Sequence, residues 1–457
     1  MSATIKRSTS LRKTRLGEIA EFIMGQAPPG NASNFDGRGT IFVKAGEFGP
    51  THPVVREWTT KPLRFSKTGD VLICVVGATA GKLNLGIDSA IGRSVAAIRP
   101  NAETFDRFVY LQLQPKVLEL RAGSTGSAQG VINRQMLANI EMILPPLSEQ
   151  RRIVAEIEKQ FTRLEAGVAA LRRVQANLKR YRAAVLKAAC EGRLVPTEAE
   201  LAKTGKRKAK FETGEALLAR ILTERRQNWQ ARGKYKEPVA PDTTNLPPLP
   251  EGWTWATIEQ LSTRVQYGSS AKTNEDSTGI PVLRMGNIQD GKFDFDKLKY
   301  LPKAHDEFPE LLLARGDLLF NRTNSAELVG KTAVFKDTPH PCSFASYLIR
   351  VRFGSGCVPD FVSYFINSVF GRAWIADVVS QQVGQANVNG TKLQALAIPL
   401  PSLAEQTRIV AEVERRLSVV EELEAVVSAN LQRATRLRQS ILQKAFTGEL
   451  ILEGKKL

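Results

Sequence analysis

A gapless internal repeat constrains this chain more than any other feature. Leu144–Glu158 reads LPPLSEQRRIVAEIE and Leu400–Glu414 reads LPSLAEQTRIVAEVE, so Leu144 and Leu400 stand 256 positions apart. The register holds to GRLV at Gly192–Val195 and GELI at Gly448–Ile451. It also runs backward, setting Gln129, Asn133 and Leu137 opposite Gln385, Asn389 and Leu393. Farther upstream the likeness fades and the offset shrinks. TGDVL at Thr68–Leu72 matches RGDLL at Arg315–Leu319, 247 apart, and VKAG at Val43–Gly46 matches LRMG at Leu283–Gly286, 240 apart. Shrinking offsets mean loops of unequal length on one framework. The chain is a duplication, each copy a divergent domain followed by a well-matched tail.

The tails read as long helices. After Pro145-Pro146, Ser148 can cap a helix with Glu149 in its first turn. Apolar residues then recur three or four apart at Ile153, Ile157, Phe161, Leu164, Val168, Leu171, Val174, Leu178, Tyr181 and Val185. The second tail repeats this with Ile409, Val413, Leu417, Val420, Val427, Leu431, Leu437 and Ile441, interrupted by Glu424 and Asn430. Such a seam marks a coiled coil or long paired helix. Gly192 and Gly448 are natural C-terminal stops. A helix of some forty residues spans about 60–70 Å, enough to act as a ruler. Packing into a bundle inside one globular domain is the alternative.

The domains before the tails are mixed. Short β-rich runs at Thr40–Lys44, Asp70–Val76 and Pro281–Arg284 alternate with Gly, Pro and Asn turns and a few short helices. Between the copies, residues 196–250 hold the basic run KTGKRKAK (Lys203–Lys210), a helix expected around Gly214–Arg232, and the Pro-rich EPVAPDTTNLPPLP. This stretch reads as a linker that wraps or crosses a surface, its basic run solvated or touching phosphate.

Bulk properties narrow the function. A chain of 457 residues suits two or more domains, and a net charge of +18 with pI near 9.8 favours nucleic acid or an anionic membrane surface as partner. No run approaches the roughly 18–20 apolar residues of a membrane span. The basic start MSATIKRSTSLRKTR lacks the apolar core of a secretory signal, so a soluble cytoplasmic protein is expected. Cys74, Cys190, Cys342 and Cys357 form no CxxC pair, and the three histidines are scattered, which argues against a zinc site and a disulfide framework.

Catalytic motifs fail on inspection. GATAGKL at Gly77–Leu83 is one residue short of a P-loop and puts Leu83 where a hydroxyl must hold Mg²⁺. The pairs Pro28-Pro29, Pro145-Pro146 and Pro247-Pro248 are followed by Gly30, Leu147 and Leu249, none an aromatic that could clamp a flipped base. No G-x-G-x-x-G follows an expected strand. For a nuclease, Asp360 after Pro359 and the distant Glu453-Gly454-Lys455 are a match common by chance. The chain reads as a non-catalytic reader with no metal or cofactor of its own.

With these residues in view, the chain resembles the specificity (S, HsdS) subunits of type I restriction-modification systems. The likeness rests on LPPLSEQRRIV and LPSLAEQTRIV, on LPPLPEGWTWATIEQL (Leu246–Leu261), GSAQGVINRQML (Gly126–Leu137), NRTNSAELVGKTAVF (Asn321–Phe335) and LQKAFTGEL (Leu442–Leu450), and on the order of the parts. The first copy departs by lacking the LPEGW opening of the second, starting instead from LRKTRLGEIAEF. The resemblance implies an α+β fold: two pseudo-symmetric, mixed target-recognition domains separated by two long helices in an antiparallel coiled coil. The segments would be a first recognition domain at 1–143, a helical region at 144–195, a linker at 196–250, a second recognition domain at 251–399 and a second helical region at 400–457. It further implies that each domain reads one half of a split double-stranded DNA site, with the helices setting the unread spacer. Two methyltransferase subunits carrying S-adenosylmethionine would join, and restriction-translocase subunits using ATP and Mg would complete the nuclease. A scaffold that joins proteins without reading DNA, and a fused DNA methyltransferase, are the competing readings.

Base reading needs Arg or Lys for guanine and Asn or Gln for adenine, on loops that reach the major groove. Lys44, Arg93, Gln129 and Arg134 are the candidates in the first copy. Arg284, Asn321, Arg322, Asn324, Gln385 and Asn387 are those in the second. The loops GSTGSAQG (Gly123–Gly130) and VGQANVNG (Val383–Gly390) match in position, which also suits structural turns. Sequence preference should therefore lie where the copies differ.

Overall fold

The computed structural model describes residues 12–116, 131–205, 211–229, 234–325, 327–336, 338, 340–382, 385–447 and 449. They form two compact units that do not follow chain order: one joins 1–173 to 427–457, the other is 174–426. Each long helix thus contributes one part to each unit.

Both copies build the same antiparallel four-stranded sheet. In the first its order is Ala20–Met24, Val95–Pro100, Val71–Cys74, Leu83–Leu85; in the second, Ser262–Tyr267, Leu348–Phe353, Leu318–Asn321, Thr332–Val334. The central strands VLIC and LLFN are apolar except for the terminal Asn321, because the sheet is buried on both faces. Val71 and Ile73 enter one core cluster, Leu72 and Cys74 another. A smaller sheet beside it keeps one parallel pair in each copy, Phe42–Val43 against Ala90–Ile91 and Val282–Leu283 against Ser343–Phe344. An incoming strand closes each domain by pairing with the strand that leads into the long helix: Lys13–Arg15 with Glu141–Ile143, and Thr254–Thr257 with Ala397–Leu400. KTR therefore does in the first copy what TWAT does in the second.

The long helices run Leu147–Cys190 and Leu403–Thr447. The first begins directly after Pro146, so Ser148 lies inside its first turn rather than capping it. In the second, Ser402 Oγ accepts the Glu405 N–H at 3.2 Å. Gly192, at φ +67°, ends the first helix as expected, with Arg193 N–H reaching Ala188 O at 2.9 Å. Gly448 lies outside the described residues.

Within each unit the helices pair antiparallel. In the first, Ile153, Ile157 and Phe161 pack with Ile441, Leu442 and Ala445, and Arg438 lies 4.1 Å over Phe161 while pairing with Glu165 at 3.1 Å. Each such buried aliphatic side chain contributes about 1.5–3 kcal/mol. In the second, Val185 and Ala189 join a core with Ile409 and Val413. Glu424 meets Arg182 at 3.0 Å inside the seam, a polar pair that favours one register. Val413, Val420, Val427, Ala434 and Ile441, seven apart, are all buried, whereas Val174, Tyr181 and Leu437 are exposed. The seam is a strict heptad, and the looser three-or-four count drew those three in wrongly.

The segment between the copies is packed into the second unit. Helices occupy Glu198–Lys203 and Gly214–Gln227, and Leu217 and Ile221 enter the core beside Trp253 and Leu400. Glu405 ties this segment down, accepting from Trp253 Nε1 at 2.9 Å and Glu198 N–H at 3.1 Å; burial raises its carboxyl above the usual range. Residues 206–210 of the basic run are not among the described residues.

Candidate nucleic-acid interface

Strand order brings the polar candidates of the second copy together. In an antiparallel sheet, the C-terminal ends of Ser262–Tyr267 and Leu318–Asn321 and the N-terminal end of Leu348–Phe353 share one edge. There Arg322 N–H donates to Tyr347 O at 3.0 Å, Val388 N–H donates to Arg322 O at 2.9 Å, and Ser346 N–H donates to Ser269 O at 2.8 Å. The Arg322 guanidinium lies 4.9 Å over the Tyr267 ring, and its Nη1 reaches Ser346 O at 3.4 Å. Tyr267 is also fixed at its hydroxyl, which accepts the Gly390 N–H at 2.7 Å.

Strand Thr323–Asn324 pairs with Gln385–Asn387, so Asn324, Gln385 and Asn387 join the same edge. Asn387 Nδ2 donates to Thr323 Oγ1 at 2.8 Å, and Asn324 Oδ1 accepts the Ser325 N–H at 2.8 Å. Arg284 is tied in through Leu283, whose carbonyl accepts the Ala345 N–H at 2.9 Å; its own Nη2 donates to Lys297 O at 2.9 Å. Asn321 is the exception. It is fully buried at the end of the central strand, and its Nδ2 donates to Leu328 O at 3.3 Å. A side chain so placed supports the loop from beneath and presents nothing at the surface.

The first copy repeats most of this backbone frame. Val75 N–H donates to Ser94 O, Ile132 N–H to Val75 O, Gly92 N–H to Val43 O and Gly25 N–H to Val95 O, each at 2.9 Å. The side chains on that frame differ. Val75 stands where Arg322 is, Met24 where Tyr267 is, Arg93 where Ser346 is, Ser94 where Tyr347 is, and Lys44 where Arg284 is. Lys44 is held by buried Glu57 and lies 5.7 Å from the Phe42 ring centre. Arg134 opens the helix Arg134–Ala138 and donates to Phe22 O. Arg93 is exposed in a turn and makes no ion pair among the described residues. Gln129 and its loop Gly123–Gly130 lie outside the described residues.

Sequence reasoning missed Tyr267 and Tyr347, which are 43% and 47% exposed on this edge. Exposed rings beside an arginine and several amides can stack on or abut bases and sugars. The available signal was aromatic interleaving in QYGSS and ASYLIR.

The GATAGKL segment proves to be a hairpin connection. Gly81 N–H donates to Cys74 O at 2.7 Å, and the chain continues as strand Leu83–Leu85. A phosphate loop must open a helix, whose N–H groups point at the anion. A cavity of about 670 Å³ in the second unit, bordered by Phe293, Val334, Tyr364 and Leu417, is equally unsuited to DNA. Lys336 and Lys292 at its rim are neutralised by Glu414 and Glu421, at 2.9 and 2.6 Å. Among the described residues no three His, Cys, Asp or Glu side chains gather as metal ligands, and no helix is long and apolar enough to cross a membrane.

The chain resembles known proteins over its length. It is 27% identical to the EcoKI type I restriction enzyme specificity subunit of Escherichia coli K12, over 83% of this chain and 73% of that one. It is 23% identical to the EcoDI specificity subunit of Escherichia coli, over 97% and 89%. A chain in a solved structure of a type I restriction-modification system matches its fold with a TM-score of 0.66, at 21% identity, over 98% of this chain and 100% of that one. The profile of the type I restriction modification DNA specificity domain matches twice, at residues 11–170 and 250–425. Since those matches take in most of the chain, one on each repeat, this protein belongs to the type I restriction-modification DNA specificity family.

Proposed function

We propose that this chain is the sequence-reading subunit of a type I restriction-modification complex, each recognition domain reading one half of an asymmetric bipartite DNA site. One observation carries the reading: both copies hold matching loops on a largely shared set of backbone hydrogen bonds, yet load them with different side chains. A shared frame with divergent surface groups suits two readers of different sequence. Of the candidates within the described residues, Arg93, Arg284, Arg322, Asn324, Gln385 and Asn387 are assigned to DNA contact, with Lys44 and Arg134 in supporting positions.

In this reading the paired helices set the spacer and dock two methyltransferase subunits. Val419, Leu423 and Val426, exposed three and four apart on the second helix, offer an apolar stripe for a partner helix. S-adenosylmethionine would be held by those methyltransferase subunits, and ATP with Mg by restriction-translocase subunits, all in the cytoplasm.

Adenine-methylation mapping by single-molecule sequencing, with the gene present and deleted, tests this directly. Loss of one asymmetric split motif on deletion is the expected result. An unchanged map, with the methyltransferase subunits co-expressed, rejects the role and favours a scaffold that does not read DNA.

A further inference from the structure

We propose that Arg322, held over the Tyr267 ring, reads a guanine in the second half-site, and that the first domain reads from a different corner of the same frame through Arg93. This rests on the DNA-reading function above and assigns which positions carry it.

Arg322 is fixed from three sides. Its N–H and C=O are both spent on the backbone of neighbouring loops, its guanidinium lies 4.9 Å over the Tyr267 ring, and Nη1 is anchored on Ser346 O. Tyr267 cannot swing away, because Gly390 N–H holds its hydroxyl at 2.7 Å. Nε is buried without a partner and is closed to a ligand, whereas Nη2 makes no hydrogen bond among the described residues and, with the second proton of Nη1, forms the open edge. A pre-positioned planar fork with unused donors matches the paired N7 and O6 acceptors of guanine, and little rotamer entropy remains to be lost on binding. Among the described residues no carboxylate pairs with Arg322 to compete for the fork, in contrast to Lys44, which Glu57 holds.

The first copy cannot use this corner. Val75 and Met24 occupy the two positions, and Gly77 stands where Asn324 is. Its exposed guanidinium sits one loop over, at Arg93, where the second copy has only Ser346. The guanidinium has moved between the β-turn and the strand end while the flanking backbone bonds stayed, so each domain offers its fork at a different place along the groove.

The test uses the full chain co-expressed with its methyltransferase subunits on a plasmid library that varies every position of the wild-type split motif, read by single-molecule methylation sequencing. Arg322→Ala should relax a guanine requirement at one position of one half-site by roughly 5- to 150-fold, leaving the other half unchanged. Arg93→Ala should do the converse. Arg322→Lys keeps the charge but not the planar fork, and should leave that position relaxed. Tyr267→Leu, which removes the platform, should relax the same position less. Uniform loss of methylation at all sequences, or full discrimination by Arg322→Lys, overturns the proposal, as does a wild-type motif with no guanine in the affected half. If Arg322→Ala does not accumulate, the Lys and Tyr267 variants decide alone. A wild-type chain that gives no split motif would instead overturn the function itself.

Discussion

Gln406→Leu is expected to destabilise the second unit by about 3 kcal/mol or more, and Gln150→Leu to do the same to the first. These glutamines are the last letter of SEQ and AEQ in the repeat, and both are completely buried. Gln406 Oε1 accepts the Val358 N–H at 2.8 Å, while Nε2 donates to Gly356 O at 3.3 Å and Pro401 O at 3.1 Å. Gln150 repeats the pattern with Phe105 N–H at 2.8 Å, and with Glu103 O and Pro145 O at 2.9 Å each. In each copy one amide thus bolts the first turn of the long helix to the loop before the domain's helix. Leucine fills the volume but strands three buried backbone groups, each costing about 1–3 kcal/mol when unsatisfied. Gln406→Glu should fare little better, since a carboxylate cannot donate to two carbonyls. Hydrogen exchange at Gly356–Val358, with thermal unfolding, reads the effect. A loss under about 1 kcal/mol would show that water replaces the amide, and the bolt would be discarded.

Much of this was legible in the sequence because duplication marks what the fold cannot change. The glutamines, the Gly-Asp turns and the long helices all stand in matching positions, and each proves to carry buried hydrogen bonds or core packing. The readers were less legible for the same reason. Surface positions differ between copies, so the repeat could not point to Tyr267 opposite Met24, or to Tyr347 opposite Ser94. Asn321 looked like a reader because it opens the polar run NRTN. It is also the last residue of a strand buried on both faces, and strand geometry, not polarity, decides its position. The helix at Gly214–Gln227 was legible as a helix, but only the structure shows that Leu217 and Ile221 have a core to enter.

The same comparison makes Asp317→Ala the sharper energetic test, because its counterpart should respond differently. Asp317 and Asp70 are the acids of RGDLL and TGDVL. Both are buried and clasp an arginine in two-point contact: Asp317 holds Arg352 at 2.7 and 2.8 Å, and Asp70 holds Arg99 at 2.8 Å twice. Both also accept a backbone N–H in the turn, from Ala314 at 2.9 Å and from Lys67 at 2.8 Å. The copies part at the next inward position of the neighbouring strand, where the first has Ala97 and the second Arg350. Arg350 is wholly buried, 3.7 Å from Asp317, with its Nη1 on Leu312 O at 2.8 Å, and burial pulls its pKa down to about 10. Removing Asp317 leaves this charge without a counter-ion, at a cost of about 3–5 kcal/mol. The melting midpoint of the second unit should fall by roughly 10 °C. Asp70→Ala frees only Arg99, whose side chain is 30% exposed and can rehydrate, so its cost should be smaller by about half. Adding Arg350→Met to Asp317→Ala should recover part of the loss, because the buried charge goes with its partner. Equal costs for the two aspartates, or no recovery in the double variant, would mean that the turn hydrogen bonds dominate and the buried arginine matters little.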